Sequence, residues 1–414
     1  MASKSKLRKI SQAKKQKNTW QVFLFALVTG GLALYQNRYG QFSDIRGFYS
    51  MHFSDGLHHW PFSTHTLIGT DITSHPVEYP ALTGLIMWMF SFFIKPSEFA
   101  VFNYYQLTSI VQIILFAYTT YLIAKVTNKH SAILFAVSPA VLYSLNRNWD
   151  IWAVVTLILS ITLFENQKFR ISAIALGISI ATKFFPLILL LPITIYFIRK
   201  RNFRLLFDYL IFTFITWITI NLPFALVNLE GWFYFYKFNY LRGLGSASIY
   251  EILKFFGLKI TNEKTIYFVL NIFIFTILIL FLSRVKNILS LKYSGYISMF
   301  CFMLFNKQYS MQYVIWLTSL GVLALHEALK NKDDLLFSFF GIWQLSELLF
   351  QFSFFQRILT NTQTDSSPPV VPQISNTVYA WIGIFRYSLI LIFTILLCLK
   401  TINSERKTDF IRAT

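Results

Sequence analysis

Residues 75–95 read HPVEYPALTGLIMWMFSFFIK, and the sidedness of everything downstream turns on them. If this stretch crosses a bilayer, the next apolar run, 100–124, crosses back and AKVTNKH (124–130) faces outward. If it lies at the outer surface, 100–124 is the second crossing and AKVTNKH is cytoplasmic. Length favours the surface: from Ala81 to Ile94 there are about 14 residues, roughly 21 Å of helix, against a hydrocarbon core of about 30 Å.

A membrane is implied by composition. The 414 residues are 55% hydrophobic and only 13% charged, with 45 Phe, which excludes an ordinary soluble domain. The net charge of +19 does not point to nucleic acid, because the basic residues sit in short clusters between apolar runs. That is the positive-inside pattern of a multi-pass protein. Residues 1–19 form a basic cytoplasmic tail, and 20–35 read as an uncleaved signal anchor, since no small-x-small cleavage site follows. The two cysteines, Cys301 and Cys398, fall in apolar segments and offer neither a disulfide framework nor a zinc site.

The basic clusters fix the cytoplasmic side: Lys125 with Lys129, Lys168 with Arg170, RKRNFR at 199–204, Arg284 with Lys286 and Lys292, Lys330 with Lys332, and the tail 400–414. With 75–95 at the surface, these alternate without conflict across twelve segments. The segments are 20–35, 100–124, 131–146, 151–165, 171–182, 184–198, 205–222, 266–283, 293–305, 313–328, 334–352 and 380–399. The expectation is an all-α polytopic protein of about twelve transmembrane helices. It forms a single domain over 20–399 in the plasma membrane, with both termini cytoplasmic. The first external loop, 36–99, carries membrane-surface helices, and a second large external loop spans 223–264. Residues 131–165 break at NRNWD, and 171–198 turn back near TKFFP, where Pro186 lacks an amide hydrogen. Carboxylates, cations and aromatics thereby collect on the outer face, in the first loop, NRNWD (146–150), TKFFP (182–186), 223–264, NKQYSMQY (306–313) and 353–378.

SDIRGFY, VEYPALTGLIMW, NWDIWAV, ATKFFPLILLLP and NKQYSMQY, in order from about 40 to 315, resemble motifs of glycosyltransferase family 87. This family, on the GT-C fold, includes bacterial polyprenyl-phosphate-mannose-dependent alpha-mannosyltransferases, among them the mycobacterial phosphatidylinositol mannoside mannosyltransferases. NKQYSMQY departs from the pattern with Met311 where Pro is expected, and the last 90 or so residues carry no matching motif. The resemblance implies a GT-C-like fold with an amphipathic helix of the first outer loop along the membrane. It also implies a catalytic aspartate early in that loop, which falls on Asp44. The implied reaction is inverting transfer of a sugar, mannose or in related enzymes arabinose, from a polyprenyl-phosphate donor to a glycolipid or envelope glycan acceptor.

Such a transfer needs a base for the acceptor hydroxyl; Asp44 is the candidate, with a helix N-cap or an Arg46 ion pair as its structural alternative. The departing phosphate calls for cations or hydrogen-bond donors rather than a metal. Lys183, Arg147, Lys307, Arg242 and His58 are the candidates, Lys183 being equally suited to pairing with Asp150. Asp150 is either that partner or a second acid/base group. Arg46, His52, Glu78, Tyr79, Gln312 and Tyr313 are candidates for substrate contact or for structure. Five of the seven histidines lie in the first loop, yet without Asp-x-Asp or a ligand-like spacing, so neither a metal nor a cofactor is expected. The rival reading is a transporter or flippase of a lipid-linked sugar, which should show related halves; none is visible. A membrane acyltransferase is disfavoured because His130 and His326 fall at cytoplasmic boundaries.

Overall fold

The computed structural model describes residues 2–37, 43–245, 247–259, 262–284, 290–328, 334–362 and 374–413. Lys286, Lys330 and Lys332 of the basic clusters, and 363–373 of the last outer loop, lie outside the described residues. Among the described residues the regular structure is helix apart from one short hairpin, and the chain divides into two compact units. One comprises Met1–Pro186 with Tyr209–Tyr234, the other Leu187–Asp208 with Phe235–Thr414.

In the first unit, α1 (Ala2–Asn37) carries the basic tail and the first apolar segment in one helix. The first loop holds α2 (Asp44–His52), the antiparallel pair β1 (His65–Thr66) and β2 (Thr73–Ser74), and α3 (Ala81–Ser91). Then follow α4 (Ala100–Val126), α5 (Lys129–Val137), α6 (Pro139–Ser144), α7 (Asp150–Glu165) and α8 (Phe169–Thr182). The 131–146 segment is not one helix. Ser138 is extended ahead of Pro139, which occupies the first turn of α6, as the steric demand of proline on its predecessor dictates. Close helix approach relies on small and hydroxyl side chains. The Ser160 hydroxyl donates to the Ser172 carbonyl at 2.9 Å, and the Tyr209 hydroxyl lies 2.9 Å from Ser172 Oγ. A Cβ on Gly177 would stand only 2.7 Å from the Thr213 carbonyl oxygen.

The loop is tied to this helical body. Asn228 donates its side-chain amide to the Phe62 carbonyl at 2.9 Å. Gly231 packs so close that a Cβ would stand 1.7 Å from the same oxygen. Helix α3 is 11 residues long, about 16 Å, and so too short to cross a core of about 30 Å.

α10 (Phe203–Val227) and α11 (Leu229–Leu241) are each divided between the units. A 3-10 turn, Phe185–Leu189, begins in the first unit and leads into the second, which contains α9 (Leu190–Arg199), α12 (Ile249–Phe255), α13 (Glu263–Arg284), α14 (Leu291–Leu304), α15 (Tyr313–Ala328), α16 (Asp334–Thr362) and α17 (Asn376–Ala413). The apolar segments fall largely on helix, with 131–146 broken at Ser138 and 184–198 opening in the 3-10 turn. Five helices among the described residues are long and apolar enough to span a membrane: Ala100–Val126, Phe203–Val227, Thr265–Arg284, Asp334–Ile358 and Asn376–Thr401. Phe268, Val269, Phe273 and Ile277 of α13 are exposed, a face that needs lipid rather than water.

Candidate active site

Asp44 is the first residue of α2, and its position is set by NRNWD. Ser43 is extended, the Asp44 amide donates to the Arg147 carbonyl at 2.9 Å, and Ser43 Oγ lies 3.4 Å from the same oxygen. The Asp44 carboxylate takes two donors on one oxygen. Tyr79 Oη reaches Oδ2 at 3.3 Å, and Asn148 Nδ2 donates to Oδ2 as well. Asn148 and Tyr79 are themselves joined, Nδ2 to Oη, at 2.9 Å. Tyr79 immediately precedes Pro80, the N-cap of α3. The first turn of α3 is fastened by Thr83, whose hydroxyl donates to the Thr182 carbonyl at 2.5 Å. The next residue, Lys183, stands 4.5 Å over the Tyr79 ring and 3.3 Å from Asp150 Oδ2. Asp150 opens α7 and is wholly buried.

Asp44 is reached by solvent, yet protein surrounds it so closely that its charge is poorly hydrated. Burial raises its pKa above the ordinary carboxylate value; Lys183 and the Tyr79 hydrogen bond pull it down, Asp150 pushes it up, and the Asn148 amide pulls it down. The net direction is upward, as desolvation predicts. The Tyr79 phenol is raised well above its usual value by burial and by the two carboxylates, so it remains a donor. A partly desolvated carboxylate of raised pKa beside a lysine suits proton abstraction.

The other candidates are dispersed. Arg46 lies over the Tyr105 ring at 4.3 Å; Arg147 lies over Tyr143 at 4.2 Å and donates to the Tyr143 carbonyl at 3.0 Å. Glu78 is 3.4 Å from His75 Nε2, and His75 stacks on Tyr234. His52 is buried against Phe48, and its pKa falls to about 3, chiefly through burial and then through His65, His75 and His59. A neutral imidazole there supplies no charge for a phosphate. His58 binds Ser91 Oγ at 3.0 Å and stacks on Phe92, at the far end of α3. That end is about 15 Å of helix away from Tyr79. Among the described residues, no three His, Cys, Asp or Glu side chains are grouped to hold a metal ion.

Lys307 and Arg242 belong to the second unit. They line a cavity of about 710 Å³ with Tyr240, Glu263 and Tyr267. Lys307 Nζ donates to the Asn239 carbonyl and, at 3.3 Å, to that of Tyr240, so it caps the end of α11. Tyr313 is buried at the start of α15 with its ring edge-on to Tyr309, and the Gln312 carbonyl accepts from the Ile315 amide. Asn148 is the member of the Asp44 cluster that sequence reasoning missed. Its signal was the run of polar side chains in NRNWD between two apolar helices.

Fold and site together define a predominantly helical membrane protein whose connecting segments bring Asp44, Tyr79, Asn148, Asp150 and Lys183 into one cluster. The family model for glycosyltransferase family 87 matches residues 78–291, and the chain belongs to that family and is a glycosyltransferase. The match takes in Tyr79, Asn148, Asp150, Lys183 and Arg242 and begins after Asp44. No curated protein matches the chain.

Proposed function

We propose that the protein transfers a sugar, mannose in the first instance, from a polyprenyl phosphate to a hydroxyl of a glycolipid or envelope glycan. The transfer takes place at the extracytoplasmic face and inverts the anomeric centre. The acceptor oxygen bonds to sugar C1 as the C1–O bond to phosphate breaks. The hydroxyl proton passes to Asp44, and polyprenyl phosphate departs with the bonding pair. Lys183 supplies positive charge on the side of the departing phosphate, where charge develops in the transition state. The topology that goes with this has twelve crossings, both termini in the cytoplasm and α3 along the outer surface. Family membership favours transfer over the transporter alternative.

The supporting observation is the Asp44 carboxylate, enclosed by protein yet open to solvent, coupled to Lys183 and bonded to Tyr79. The test is purified protein with polyprenyl-phosphate mannose and a glycolipid acceptor. Asp44→Asn should bind donor and give no product; near-normal turnover in that variant removes Asp44 as base. Donor translocation without product in the wild type supports the transporter instead.

A further inference from the structure

We infer that Asn148 is the positioning residue of the Asp44 base, fixing carboxylate Oδ2 so that Oδ1 is the oxygen that takes the proton. The inference rests on Asp44 acting as the base. A carboxylate is symmetric about its second side-chain torsion, and rotation exchanges its two oxygens. Here the symmetry is broken, because both side-chain donors, Asn148 Nδ2 and Tyr79 Oη, converge on Oδ2. Oδ1 meets neither donor, and Asp44 is the most exposed member of the cluster.

Asn148 is suited to this work because it is itself fixed. It is 3% exposed, and its own Oδ1 accepts from the Trp149 amide at 2.6 Å. Its neighbour Arg147 accepts the Asp44 amide through its carbonyl. Consecutive residues of NRNWD therefore grip the base twice, once by backbone and once by side chain, and Asp150 of the same pentad holds Lys183. Tyr79 is the lesser partner: its contact is 3.3 Å, and its one proton is shared between Asp44 Oδ2 and Asn148 Oδ1 at 3.2 Å. The charged and titratable groups facing Asp44 are Lys183 after α8, Asp150 of α7 and Tyr79 before α3. Arg46 on α2 faces Tyr105 of α4.

The test is an infrared pH titration of the full chain in nanodiscs, following the protonated-carboxyl band that Asp44→Asn abolishes. Asn148→Ala should move the midpoint of that band up by about one pH unit, since one hydrogen bond to the charged form is lost. Turnover with polyprenyl-phosphate mannose should fall about 100-fold, with the donor KM within twofold and the acid limb of the rate profile moved up in step. Asn148→Asp keeps an acceptor for the Trp149 amide, loses the donor and sets a like charge beside Asp44; it should show at least the same fall in turnover and a larger upward shift. A purely structural Asn148 would lower thermal stability and leave band and acid limb in place, which overturns the inference. Turnover retained in Asp44→Asn overturns the base assignment instead. An inactive Asp44→Asn with an unmoved band in Asn148→Ala overturns the positioning role alone.

Discussion

Lys183 and Arg386 are both buried cations paired with a carboxylate and laid over tyrosine. In the first unit Lys183 meets Asp150 at 3.3 Å with the Tyr79 ring beneath it, and the neighbouring Asp44 reaches solvent. In the second unit Arg386 stands 3.9 Å from Glu347 and within 4.1 Å of the ring centroids of Tyr309, Phe350 and Tyr387. Glu347 accepts from Tyr309 Oη and Trp343 Nε1, both at 3.1 Å. Arg386 and Tyr387 both donate to the carbonyl of Ala247 at 3.2 Å. Ala247 has φ +63°, a left-handed conformation uncommon for a residue with a Cβ. The Arg386 cluster is closed, and it holds a strained stretch of backbone. The Lys183 cluster is open on one side, where a carboxylate of raised pKa meets solvent. An accessible reactive atom, rather than a buried ion pair, marks the centre suited to chemistry.

The contrast breaks first at Asp44. Asp44→Asn should lower transfer by about 10³-fold or more, measured as product formed per folded protein. Its effect on stability has the opposite sign. A folded-state pKa above the ordinary value of 3.8 means that the native state holds its proton more tightly than the unfolded chain does. That stabilisation is complete below pH 3.8 and is lost as pH rises through the folded pKa. At neutral pH Asp44→Asn should therefore melt no lower than wild type, and higher if the carboxylate is strained, with the gap closing on acidification. At Arg386 the pattern reverses. Arg386→Met leaves Glu347 buried without its cation and should cost about 3–5 kcal/mol in chemical denaturation. The double variant Arg386→Met/Glu347→Gln should recover part of that loss.

Lys183→Met sharpens the same comparison. Removing the cation takes away the largest influence that lowers the Asp44 pKa, so the acid limb of the rate profile should move upward. Turnover should fall about 100-fold through loss of charge at the leaving phosphate. If turnover is unchanged while melting falls as it does for Arg386→Met, Lys183 belongs with the closed cluster.

The helical segments were legible because lipid forces long apolar runs onto helix, and the boundaries at Asn128, Pro139 and Asp150 follow from local chemistry. Asp44 and Lys183 were legible as charges out of place between apolar stretches. Asn148 was not, because an amide carries no charge to stand out, and its role depends on residues 104 and 69 positions away in the chain. His58 and His52, also singled out in the sequence, lie outside the Asp44 cluster. A histidine-rich loop looks functional in sequence, whereas packing spends the one on Ser91 and Phe92 and the other among Phe48 and Phe53. The split of 131–146 into α5 and α6 was written in Pro139, yet apolar character alone joined them.

The smallest effect concerns His52, which lies in the first loop but outside the Asp44 cluster. Its pKa is about 3 in the folded protein, against 6.5 ordinarily, because a charged imidazole would be stranded among aromatic rings and other histidines. Between those values the unfolded chain binds a proton that the native state refuses, so stability falls as pH drops through 6.5. At pH 5.5 the loss is on the order of 1 kcal/mol for one such group. His52→Gln removes this linkage. Its melting temperature should decline less than that of wild type between pH 7 and pH 5, while turnover at pH 7 stays within twofold. A large fall in turnover with an unaltered acid profile would instead place His52 in contact with substrate, and the open centre would then extend along α2 from its first residue to its last.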